Sequence, residues 1–317
     1  MLYSPRKNIC RVKILPKLSC YIFVARSDAS FIQYTLPRLC EMVQKVSSTP
    51  TIVVDASNPK GVLGEILPQS EFGEIINQLE NIKRKHSLEV EVFIPERENV
   101  RKLSRIHFGK PYSETHCFRG YPIYGSTRQF HQQESDYVLH LDCDMIFYEE
   151  EGFSWIAKGI SFMEEHEDIL CVLPRGGPPA NEGVLHQGTT YYKKDDARGI
   201  YLFKNFTSRH YLMHRKRFLG LLPIKPCWLS WREPIKSRLF GNGKMLCWET
   251  MVEKALKQSS LWRADLMTKK AWSLHPGERS KEFHEKLPSI TKQVAKGHFP
   301  TAQAGHFDLR LEDWEVI

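Results

Sequence analysis

At 317 residues, 41% of them hydrophobic, the chain has enough apolar content to bury one large core or two modest ones. No run of about eighteen uninterrupted apolar residues occurs, and the opening MLYSPRKNICRVKILPKL lacks the apolar stretch of a secretion signal, so neither a membrane-spanning helix nor a signal peptide is expected. The formal net charge of +8 admits an anionic ligand, an acidic membrane surface or nucleic acid, but Lys and Arg are dispersed and no RNA- or DNA-binding motif occurs, so nucleic acid is not the expected partner. The eight cysteines show no short pairing, and several sit inside apolar runs such as LSCYIFV and ILCVLP, as free thiols do in a reducing cytoplasm.

Taken in chain order, CYIFVAR (20–26) reads as a strand, FIQYTLPRLCEMVQKV (31–46) as a helix, TIVVDAS (51–57) as a strand, FGEIINQLENIKRKH (72–86) as a helix and LEVEVFI (88–94) as a strand. That alternation predicts an α/β fold, a mostly parallel twisted sheet with helices on both faces and a ligand crevice beyond the carboxyl ends of its strands. YVLHLDCDMIFYEE (137–150) follows as an apolar strand whose end carries two aspartates around Cys143. A buried strand does not readily take such charge, and Asp55 ends another strand, so the carboxylates gather where this fold collects a ligand. Beyond residue 150 come the helix EGFSWIAKGISFMEEHE, the strand ILCVLP (169–174), the Gly-Pro loop RGGPPANEG (175–183), a long irregular basic and aromatic region, and the helix CWETMVEKALKQS (247–259).

IFVARSDASFIQYTLPRLCEMV followed by TIVVDAS resembles the opening of the family-2-type nucleotide-sugar glycosyltransferases. STRQFHQQESDYVLHLDCDMIF resembles their arginine-bearing helix and D-x-D strand, and CWETMVEKALKQSS resembles the helix that carries their acidic pair. The three motifs stand in family order across residues 18–275. The resemblance implies a single GT-A type domain, with a Rossmann-like nucleotide-sugar-binding half (18–150) and an acceptor-binding half (151–275). These lie between a basic amino-terminal segment (1–17) and a carboxyl-terminal extension (276–317). It implies a metal-dependent, hexosyltransferase-like enzyme that moves a sugar from a nucleotide-diphosphate donor to a hydroxyl of a glycan, a lipid-linked sugar or a small molecule, with inversion. It would work in the cytoplasm, in peripheral contact with a membrane.

The same resemblance assigns roles. Asp144 would hold Mn²⁺ or Mg²⁺, oxygen-loving ions that need only one or two protein carboxylates. Asp142 would face the ribose or join the metal, Cys143 would pack on the other side, and His275 would close the metal site, with His298 and His306 as weaker rivals. Asp55 would accept a hydrogen bond from the base, although it also fits a turn residue in DASNPKG. Arg26, Asp28 and Arg128 would contact the nucleotide, Arg128 through phosphate. Glu249 would be the base that takes the acceptor proton, with Glu253 and Asp265 as alternatives. Trp248 replaces the first acid of the usual pair and would offer a platform for a sugar face, while Arg215, Lys216 and Arg217 would meet an anionic acceptor or a membrane. Each of these charged residues also fits a solvated helix face or strand end. Two other readings remain: a nucleotidyltransferase, which lacks support because VARSDAS carries no Gly-rich basic loop, and a basic nucleic-acid-binding protein.

Overall fold

The computed structural model describes residues 16–46, 49–58, 61–66, 70–186, 191–277 and 279–315, so the basic amino-terminal segment lies outside the described residues up to position 15. Twelve strands are described: β1 (Leu18–Val24), β2 (Thr51–Asp55), β3 (Glu89–Phe93), β4 (Tyr137–Asp142), β5 (Ile146–Glu149), β6 (Ile169–Leu173), β7 (Arg175–Gly176), β8 (Tyr192–Asp195), β9 (Ile200–Phe203), β10 (His210–His214), β11 (Trp262–Leu266) and β12 (Ala271–Leu274). Ten helices accompany them: α1 (Ala29–Gln44), α2 (Gly61–Ile66), α3 (Phe72–Lys83), α4 (Arg97–Phe108), α5 (Tyr124–Gln132), α6 (Trp155–Glu165), α7 (Arg215–Leu219), α8 (Glu233–Phe240), α9 (Trp248–Lys257) and α10 (Lys281–Ala295).

Nine strands form one sheet in the order β3-β2-β1-β4-β10-β6-β11-β9-β8. The first four run parallel, as the β-α-β alternation predicts. From β10 onward the sheet is mixed, because β10 runs antiparallel to both of its neighbours and β9 runs antiparallel to β8 and β11. Strands β8 and β9 lie in the region that reads as irregular. Their hairpin, YKKDDARGIYLF, has five charged residues in twelve, and its turn closes on Gly199 with φ 67°, a backbone region that favours glycine.

Helices cover both faces, and the pleat decides which residue goes where. Cys20, Ile22 and Val24 of β1 pack with α1, α3 and α6, while Tyr21 points to the opposite face with Phe130 of α5, Phe218 of α7 and Trp248 of α9. On α1 the buried stripe Ile32, Leu36, Leu39, Cys40 and Val43 repeats at helical spacing despite Pro37. Several helices escape the sequence reading, α4 and α10 the longest of them. The charged RENVRKLSRIHF shows only a thin apolar stripe for α4, and Pro288 interrupts the pattern of α10.

The strand read across YVLHLDCDMIFYEE breaks at Cys143–Met145. Its first part is β4 of the large sheet, and its second, β5, joins β12 and β7 in a separate three-stranded sheet. Helix α10 closes over this smaller sheet, where Phe283, Leu287, Ile290 and Val294 bury against Phe31, Trp272 and Trp314. The carboxyl-terminal segment is therefore part of the core. Leu287→Ala should lower the unfolding free energy by about 2–5 kcal/mol, the usual cost of emptying a fully buried leucine site. Urea unfolding checks this, and an unchanged midpoint would mean that α10 contributes nothing to the folded state.

Candidate active site

A cavity of about 380 Å³ opens where β1, β2 and β4 end, lined by Asp28, Asp55, Asp142, Asp144, Glu249 and Arg279 among others. The strand register brings the ends level, with Phe23 of β1 beside Asp142 of β4 and Val24 beside Val54 of β2. Its remaining wall comes from the segment around His116–Pro122 and the amino terminus of α9.

At the floor lies a charged cluster. After β1 the chain enters a single 3-10 turn, Arg26–Asp28, in which Asp28 Oδ2 accepts the Ala25 amide at 2.8 Å. Asp28 Oδ1 meets Arg279 Nη1 at 3.2 Å, and the same nitrogen donates to the Ser27 carbonyl at 2.9 Å. Arg279 Nη2 donates to Asp144 Oδ2 at 2.7 Å, and Arg209 Nη1 stands 4.0 Å from that oxygen. The Arg279 guanidinium also lies 4.8 Å over the Phe31 ring. Asp144 Oδ1 is buried with no hydrogen-bond partner. Burial, and then repulsion from Asp144, pushes the Asp28 carboxyl up to about 7, with Arg279 opposing the rise.

Asp142 is more open. Its Oδ1 sits 3.1 Å from His140 Nε2, and the His140 ring stacks on Tyr211 with 4.9 Å between centroids. Cys143, between the two aspartates, is fully buried, and its carbonyl accepts the Thr35 hydroxyl. Asp55 takes the Ser57 amide at 2.9 Å through Oδ1, a turn bond, and faces His116 Nε2 at 3.4 Å through Oδ2, so it serves the turn and lines the cavity at once. Arg26 also lines the cavity, steadied by a 3.0 Å bond from Nε to the Ser70 carbonyl.

On the opposite wall, Glu249 sits in the first turn of α9, where the helix dipole favours a carboxylate. Its Oε2 accepts both the amide and the hydroxyl of Ser208, at 2.8 and 3.2 Å. Just before it, the Cys247 sulfur lies 3.4 Å from that of Cys117. That contact pulls the Cys117 thiol down to about 6 and pushes Cys247 up.

Of the expected site residues, Arg26, Asp28, Asp55, Asp142, Asp144 and Glu249 come together around this cavity. Arg128 does not line it. Its guanidinium is taken by Glu91 and lies 4.4 Å over Phe93, so it pins α5 to β3. His275 is also absent from the lining, and its Nδ1 bonds Asp308 Oδ1 at 2.8 Å. Trp248 is no sugar platform, because its ring is 2% exposed and packs against Phe130, Phe206, Tyr211 and Phe218. Glu253 is spent on Lys257 and Asn205, and Asp265 on Arg263, both outside the cavity lining. Arg215 and Arg217 donate to main-chain carbonyls of Phe130, Met163, His166 and Ile169, so two of the three basic residues staple the fold.

Arg279, Arg209 and Ser208 are site residues that the sequence reading does not foresee. For Arg279 the available signal is local: it stands just before Ser280, which caps α10 by accepting the Phe283 amide.

The resemblance implies a divalent cation, and the oxygen donors fit one. Asp142 and Asp144 offer hard carboxylate oxygens two residues apart, and Asp144 Oδ1 is a buried acceptor without a hydrogen-bond partner. Among the described residues no cluster of three or more His, Cys, Asp and Glu side chains could hold a metal ion, so ligand and water oxygens would have to complete the shell.

No family profile matches the sequence, and no curated protein matches it either. Among solved structures, the chain is similar to a mannosyltransferase, PcManGT from Pyrobaculum calidifontis, in complex with GDP-Man and Mn2+ (9% identity, TM-score 0.38). The match covers 67% of this chain and 48% of that one, so the chain spans about half the mannosyltransferase's length. It is also similar to S. aureus TarS 1-349 in complex with UDP (14% identity, TM-score 0.40, 90% and 68% covered). A third likeness is to an apo UDP-glucose pyrophosphorylase (8% identity, TM-score 0.42, 87% and 98% covered). Superpositions this loose carry no functional weight, which falls instead on the residues of the cavity.

Asp28 supplies a test of the cluster's electrostatics. With its carboxyl raised to about 7 from the usual 3.8, the folded protein keeps a proton that the unfolded chain has released. This contribution therefore lowers stability as pH rises from about 4 to about 7, and is absent below that window. Asp28→Asn has no such proton, so the parent should lose stability relative to the variant across the window. Unfolding both proteins in urea from about pH 4 to about pH 8 measures this. A constant difference would contradict the raised carboxyl.

Proposed function

We propose that the chain is a glycosyltransferase that takes a sugar from a nucleotide-diphosphate donor and passes it, with inversion, to an acceptor hydroxyl. The observation that carries this reading is the convergence of Asp55 at the end of β2 and Asp142 and Asp144 at and just past the end of β4, on either side of β1, with Glu249 on the facing wall of one cavity. A nucleotidyltransferase fits less well, because the turn after β1 is ARSD, built on Asp28 and without glycine.

Charge balance argues for the metal dependence. The cavity lining holds four arginines (Arg26, Arg119, Arg209 and Arg279) against five carboxylates (Asp28, Asp55, Asp142, Asp144 and Glu249). Such a cavity has no net positive charge to offer a diphosphate, so a cation must enter with it. Asp144 and Asp142 would hold Mn²⁺ or Mg²⁺, which as a Lewis acid offsets the charge gained by the leaving diphosphate. Arg209 and Arg279, already directed at Asp144, supply guanidinium donors for phosphate oxygens. Asp55 would accept a hydrogen bond from the base. Inversion needs one carboxylate to take the acceptor proton on the side away from the leaving group, and Glu249, held by Ser208, would take that role. The cysteines among the described residues are free thiols, as suits a reducing compartment.

A panel of nucleoside diphosphates and nucleotide sugars, scored by thermal shift with and without Mn²⁺, tests the reading, since a true donor should stabilise the protein only with metal. If no nucleotide raised the melting temperature under either condition, the reading would fail. Asp144→Asn should abolish that metal-dependent shift, because an amide keeps the shape but not the charge. Glu249→Gln should leave the shift nearly intact yet slow transfer by about a hundredfold or more. A folded Glu249→Gln protein with parental transfer rate would remove Glu249 from the mechanism.

A further inference from the structure

Helix α8 is built inside out. Its inward positions are polar: Glu233 and Ser237, four residues apart, are 5% and 1% exposed. Its outward positions are apolar: Ile235 and Leu239, also four apart, are 52% and 66% exposed. Phe240 at its end and Leu229 and Trp231 before its start are exposed by 71%, 54% and 75%. Five of the large exposed apolar side chains thus crowd into a dozen residues of sequence.

The inward face is fully organised, so the helix cannot simply roll over. Glu233 accepts the Lys244 amide and the Lys236 ammonium, both at 2.9 Å. Ser237 donates its hydroxyl to Glu114 Oε2, and Glu114 Oε1 accepts the Gly243 amide at 2.9 Å. A Cβ on Gly243 would come within 2.5 Å of the Glu233 carbonyl, so the loop after α8 is seated tightly against it. A soluble surface gains nothing from holding apolar side chains out in this way.

The charge around the patch states what it faces. Lys225, Arg232, Lys236, Arg238 and Lys244 are all exposed, and the one acid between positions 225 and 244, Glu233, is buried and paired. Apolar side chains, a tryptophan among them, ringed by cations are the pattern of a segment that lies in the interface of an anionic bilayer. We propose that residues 229–240 form a docking surface for an anionic lipid membrane, with Trp231, Ile235, Leu239 and Phe240 entering the headgroup layer and the surrounding Lys and Arg pairing with lipid phosphates. The surface is continuous with the cavity wall: Leu246 N bonds the Cys227 carbonyl at 2.8 Å, Phe118 N bonds the Met245 carbonyl at 2.9 Å, and Cys247 then leads into α9. Docking would therefore set the cavity beside the lipid surface. The inference does not rest on the proposed transfer reaction.

The test is flotation of the full chain with phosphatidylcholine vesicles, with and without phosphatidylglycerol. The parent should float with the anionic vesicles and be released by salt, and Trp231→Ser/Leu239→Ser/Phe240→Ser should bind them about tenfold or more weakly. Arg232→Glu/Lys236→Glu should weaken binding similarly, whereas the exposed control Ile94→Ser, elsewhere on the surface, should leave it unchanged. All these side chains are exposed, and a melting curve confirms that each variant folds. A parent that ignores anionic vesicles, or a triple variant that binds as the parent does, would overturn the proposal. So would light scattering that shows the parent as a dimer and the triple variant as a monomer, which would give the patch to a second copy of the chain.

Discussion

Two buried carboxylates side by side repel each other, and in this protein Arg279 stands between them, offsetting only part of the burial and repulsion that hold the Asp28 carboxyl up to about 7. Its guanidinium joins Asp28, in the turn after the first strand, to Asp144, in the turn after the fourth. It comes from the lead into α10, more than a hundred residues further along the chain. One side chain thus ties the turns after β1 and β4 to the carboxyl-terminal helix. Breaking a buried pair of this kind by removing one partner typically costs about 3–5 kcal/mol, because the carboxylates left behind are stranded.

The parallel half of the fold was legible because it is written in local chemistry. Apolar strands and amphipathic helices alternate, and acids stand where strands stop, at Asp55, Asp142 and Asp144. The mixed half was not legible for an equally physical reason. Strands β8 to β10 are four or five residues long, and charge in the β8–β9 hairpin conceals the alternation of an edge. Within the site, the motif-borne acids and Arg26 line one cavity, while Arg128 and His275 stand outside it. Arg128 and His275 stand at plausible points in the sequence, but which partner a long or rotatable polar side chain finds is decided by tertiary neighbours, here Glu91 and Asp308. Arg279 illustrates the converse, since nothing near it in sequence names Asp28 or Asp144.

The distribution of charge separates two tasks. The chain as a whole carries +8, yet the cavity holds slightly more acid than base. Surplus positive charge is concentrated elsewhere, notably around α8, where five exposed cations surround apolar side chains. Long-range attraction and local chemistry are therefore assigned to different surfaces. A positive global field of this kind would draw anionic partners in general, whereas a cavity near electrical balance would select by local contacts.

The break between β4 and β5 places the two aspartates on different mechanical bodies. Asp142 is the last residue of a strand in the nine-stranded sheet, whereas Asp144 lies in the turn that delivers the chain to the three-stranded one. The turn that joins them is closed by the Met145 amide on the Asp142 carbonyl at 3.2 Å. Trp272 of β12 touches neither aspartate, yet it packs against Tyr148 of β5 and Phe299 beyond α10, and so sets the seat of the smaller sheet. That remote aromatic contact thus helps to seat the strand into which the turn carrying Asp144 delivers the chain.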